Sequence, residues 1–94
     1  MAHLLVIEKV EDFAKWKQAF DSHVAAREAS GCKGGHIFHN AADPNHIVVL
    51  LEWDDVAQVQ AFAQSDSLRQ AMQRGGVVGA PEVFFLEEVD RPAV

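Results

Sequence analysis

The chain of 94 residues, about half of them apolar and with a formal charge of −6 at pH 7, is sized for a single domain over 1–94 with one modest core. Its eight Lys and Arg are scattered singly, so no electropositive stripe exists to neutralise phosphates, and neither nucleic acid nor an anionic membrane is an expected partner. The longest purely apolar run, Ile47 to Leu51, falls far short of the ~20 residues of a membrane-spanning helix; with no basic start at the N-terminus and one cysteine, Cys32, the expectation is a cytoplasmic protein.

"HLLVIEKV" (3–10) predicts a first strand, short and partly β-branched. "EDFAKWKQAFDSHVAAREASG" then changes period: Asp12 is an N-cap candidate, and Phe13, Trp16, Phe20, Val24 and Arg27 recur at steps of three or four until Ser30-Gly31 stops the helix. "CKGGHIFHN" and "HIVVLLEW" predict a β-hairpin turned at Asp43-Pro44-Asn45. "DDVAQVQAFAQ" starts a second helix on acidic capping residues, "SDSLRQAMQR" renews it after a kink, and Gly75-Gly76 ends it. "EVFFLEEV" (82–89) is the last strand, with Gly75, Gly76 and Gly79 in the link before it.

The order βαββαβ predicts an α+β, ferredoxin-like domain: a four-stranded antiparallel sheet with two helices on one face. Leu4 to Ile7, Ile47 to Leu51 and Val83 to Leu86 are apolar at consecutive positions, so these strands are apolar on both faces. Two helices cover one face only. The second face is therefore expected to pack against a second copy of the sheet, giving a homodimer about a two-fold axis.

With that order, those two-sided strands and the segment "EWDDVAQVQAFAQSDSLRQAM", the sequence resembles the dimeric α/β-barrel proteins of the antibiotic-biosynthesis-monooxygenase-like type over nearly its whole length. Such proteins include cofactor-free oxygenases of aromatic polyketides, haem-degrading enzymes, isomerases and proteins without known activity, so the fold alone does not choose among them. The resemblance implies a pocket between helices and sheet for an aromatic or polyketide-like small molecule, and matches Trp53, at the junction of strand and helix, to a functional tryptophan. The haem-degrading pattern needs an amide on strand one and a histidine on helix two. Ile7 and Glu8 stand on the strand and 54–74 contains no histidine, which disfavours that branch; the absence of tyrosine removes a usual support of the oxygenases.

Three histidines, His36, His39 and His46, fall within eleven positions. On a strand His36 and His39 point to opposite faces, so they cannot chelate one metal together, and no metal site is expected. His39 and His46 are ordinary strand-end residues on this reading, while His36 is a candidate substrate contact. On helix one, Trp16, Phe20, His23 and Arg27 share a stripe. His23 can act as base near its intrinsic pKa and Arg27 can hold an anionic oxygen, whereas the structural alternative is a satisfied boundary histidine beside a surface ion pair. Trp16, Phe20 and Trp53 are either pocket wall or plain core. The expectation is an apolar pocket for cofactor-independent oxygenation with no cofactor, with a non-catalytic, ligand-binding or stress-associated homodimer as the alternative.

Overall fold

A computed structural model describes residues 1–94. The elements are β1 (Ala2–Val10), α1 (Phe13–Ser22), α2 (Val24–Ala29), β2 (Gly35–Asn40), β3 (Asp43–Trp53), α3 (Val56–Ala63), α4 (Asp66–Arg74) and β4 (Val77–Glu87). The four strands form one antiparallel sheet in the order β2-β3-β1-β4, with the helices on one face, so the ferredoxin-like architecture is as the sequence predicts.

Alternation along β1 and β3 decides what the helices cover. Leu4, Val6, Glu8 and Val10 are buried, as are Ile47, Val49, Leu51 and Trp53, while the residues between them are more exposed. Val59 and Phe62 of α3 and Trp16 of α1 complete the core. Only 17 of the 94 residues are buried, because the opposite face is open: Phe38 is 51% exposed and Phe84 43%, beside half-buried Leu5, Ile7, Val48 and Leu50.

Capping holds the helices in place. Asp12, Asp55 and Ser65 each accept a hydrogen bond from the backbone N–H three residues on, which satisfies a first-turn donor. Asn45 adds a tertiary clamp, its Oδ1 accepting from Phe13 N at 2.9 Å and its Nδ2 donating to the Glu11 carbonyl at 3.4 Å. At Gly35 the backbones of β2 and β3 approach so closely that a Cβ would sit 1.9 Å from the Leu50 carbonyl oxygen.

Three local expectations are corrected. The single first helix is two, broken at His23 (φ −90°, ψ 8°), where Ser22 Oγ donates to the Gln18 carbonyl at 2.8 Å and the His23 N–H reaches back only three residues, to Phe20 O; such side-chain back-bonding bends helices. The hairpin turns at Ala41-Ala42, and Asp43-Pro44-Asn45 belong to β3, with Asn40 paired to Asp43. β4 begins at Val77 rather than Glu82, and Gly79 (φ 73°) lies inside it. The register there slips opposite Glu8, between the pairs Ile7↔Glu82 and Lys9↔Val78. Pro81, which has no N–H for the ladder, falls in this bulge.

Candidate functional site

Under the helices lies a cavity of about 50 Å³ whose walls are apolar except for Glu8, His23 and Arg27. β1 supplies Glu8, the α1/α2 break supplies His23, and α2 supplies Arg27, while Trp16 and Phe20 stack with ring centroids 5.1 Å apart as part of the wall. The structure thus brings Trp16, Phe20, His23 and Arg27 together. Two wider grooves border the cavity. Towards β2 it shares Phe20, Arg27 and Leu51 with a groove of about 350 Å³, and towards β4 it shares Leu68 and Met72 with one of about 200 Å³.

His23 is 7% exposed, with its ring 5.8 Å from that of Phe62 and its Nε2 in a short contact with the hydroxyl of Ser67. Burial, then the positive charges of Arg27 and Arg74, lower its pKa below the ordinary histidine value. The imidazole is therefore neutral at pH 7, the form that accepts a proton. Arg27 stacks over Phe20, the guanidinium carbon 3.7 Å from the ring centroid, and its Nη1 donates to the Phe20 carbonyl at 2.6 Å. That leaves other guanidinium donors for an anionic group at the cavity's end.

Two sequence candidates lie elsewhere. Trp53 is fully buried and is not among the cavity walls; its ring packs against Phe62 at 5.1 Å and its Nε1 donates to Ser30 Oγ at 3.1 Å, tying the end of β3 to the end of α2. His36 pairs with Leu50 and stacks on Phe38, on the open face, so the sheet separates it from the cavity. His39 is on the helix side, edge-on to Phe13, while His46 Nδ1 meets the Asn40 amide at 3.3 Å.

Glu8 is the wall residue that sequence reasoning passed over. It is 5% exposed; Oε1 accepts from Trp16 Nε1 at 3.0 Å, and buried Oε2 has no partner. Desolvation raises its pKa above the ordinary carboxylate value, and the weaker effect of the Trp16 hydrogen bond opposes that rise. The available signal was parity, since Glu8 shares its face with Leu4, Val6 and Val10.

The family model for antibiotic biosynthesis monooxygenase matches residues 8–74. No protein of curated function matches the sequence. Among solved structures, a proposed antibiotic biosynthesis monooxygenase of Bordetella bronchiseptica superposes with a TM-score of 0.79 at 15% identity, over 94% of this chain and 96% of that one. One from Caulobacter crescentus gives 0.75 at 18% identity over 95% and 90%. A variant of SnoaB, a cofactor-independent oxygenase from Streptomyces nogalater, gives 0.75 at 10% identity over 99% and 96%. At such identities the likeness is one of fold.

Proposed function

The chain belongs to the antibiotic biosynthesis monooxygenase family, and on that premise we propose that it is a cofactor-independent monooxygenase of an aromatic or polyketide-like compound. The observation that carries the reading is His23, a buried imidazole held towards its neutral form in a wall that is apolar apart from Glu8 and Arg27. A substrate with an activated methylene, conjugated with a phenol, enol or ketone, loses a proton from that carbon to His23 and becomes a carbanion. Dioxygen takes up that electron pair and forms a carbon-bound hydroperoxide. Removal of the remaining C–H proton expels hydroxide, which leaves as water, so the methylene and dioxygen give a ketone and one water with all four electrons supplied by the substrate. The positive charge of Arg27 favours the anion. Trp16 and Phe20 supply flat apolar surface for the ring.

We place the protein in the cytoplasm as a homodimer joined through the open sheet face, which Phe38, Phe84 and Leu86 render apolar. No helix is long and apolar enough to cross a membrane. Purified, metal-free protein should consume one dioxygen per ketone formed from anthrone, and His23→Ala should slow this by roughly a hundredfold or more. The second reading, ligand binding without turnover, is favoured by the Arg27 hydrogen bond that already occupies one donor. Tight binding of anthrone with no oxygen uptake above the uncatalysed rate would establish it instead.

A further inference from the structure

We propose that Glu8 sets the ligand specificity of the cavity: its unpartnered Oε2 donates a hydrogen bond to a carbonyl oxygen carried by a flat apolar ligand. The inference deepens the oxygenase reading and rests on it for the ligand's chemical class. Its geometry is independent of that reading. The indole of Trp16 can only donate, so Oε1, at 3.0 Å from Nε1, must be the accepting oxygen, and in the neutral acid the proton sits on Oε2. That oxygen is buried without a partner, on a residue that lines the cavity. A buried polar atom left unpaired is costly and marks a place where a further group is expected.

The chemistry of the walls selects the partner. The other charged or titratable groups lining the cavity are His23 and Arg27, one neutral and one cationic, so a cationic ligand meets a like charge. Desolvation disfavours the Glu8 carboxylate, and no ion pair offsets it. An acceptor oxygen on an apolar skeleton meets none of these penalties and satisfies the one orphaned donor. In the proposed reaction this contact polarises the carbonyl conjugated with the reacting methylene and stabilises the enolate formed from it, with no net proton transfer from Glu8.

The test compares two bicyclic probes of the same skeleton, 1-tetralone and tetralin, by calorimetry on the full chain. Wild type should bind the ketone about tenfold more tightly. Glu8→Gln, which keeps an acceptor for Trp16 and offers an amide donor in place of Oε2, should preserve that preference within about threefold, whereas Glu8→Leu should abolish it and leave tetralin affinity intact. A preference unchanged in Glu8→Leu overturns the proposal, as does failure of wild type to bind either probe. Should Glu8→Leu not fold, the infrared carbonyl stretch of 1-tetralone bound to wild type decides: a shift below its value in alkane supports the contact, and an alkane-like frequency removes it. Loss of the oxygenase reading is separately visible. Ketone selectivity that depends on Glu8 without oxygen uptake from anthrone removes the reaction and leaves the contact; uptake with selectivity indifferent to Glu8 does the reverse.

Discussion

Burial shifts both Glu8 and His23 towards their neutral forms, raising the pKa of one and lowering that of the other, and they leave opposite signatures in the pH dependence of stability. The folded-state pKa of Glu8 is raised, so between the ordinary value near 4.5 and the folded one the native state holds a proton that the unfolded state has released. Its contribution is complete below about 4.5 and is lost as pH rises. The difference in unfolding free energy between wild type and Glu8→Gln should fall across that interval in urea titrations at several pH values. The folded-state pKa of His23 is lowered, so its contribution is complete above the ordinary value near 6.5 and is lost as pH falls towards the folded pKa. Subtracting His23→Gln from wild type should give a curve that declines on acidification below pH 6.5. His23→Ala should also remain folded, losing about 1–2 kcal/mol, because truncation removes the packing on Phe62 while the partner it strands, Ser67, is exposed and can bond to water.

Elements fold here as local chemistry directs, and the exceptions have identifiable causes. The strand-helix-strand alternation was legible because apolar spacing changes cleanly from two-sided runs to steps of three or four. The break at His23 was not, since the stripe from Trp16 to Arg27 continues across it; only the weak helix formers Asp21, Ser22 and His23 hint at it. Gly75, Gly76 and Gly79 suggested a link, yet Gly79 lies inside β4, where a bulge accommodates the irregularity. Asn45 shows how a misplaced turn hides a structural role: three residues past the real turn, its side chain clamps the start of α1. Asn45→Ala should lower stability by about 1 kcal/mol, or about 4–8 °C in Tm for a chain of this size, and calorimetric melting measures it.

At the scale of the whole molecule the open face dominates. The two-sided apolar runs of β1, β3 and β4 were visible in the sequence, and the exposed Phe84 follows directly from the last of them, while Phe38 of β2 adds to the same face. Native mass spectrometry at low micromolar concentration should show a dimer, with an interface on the order of 2,000 Å²; a monomer alone would contradict the two-sheet arrangement. The site was legible only in part, because the helix stripe pointed to Trp16, Phe20, His23 and Arg27 while the sheet's parity, which separates His36 from Glu8, depends on a register no single strand discloses. The cavity has a wider groove on either side, one sharing Phe20 and Arg27 with it and the other Leu68 and Met72. Phe20 and Arg27 face the cavity and one groove, and Leu68 and Met72 face the cavity and the other, so a change of side chain at any of these four reshapes two hollows at once.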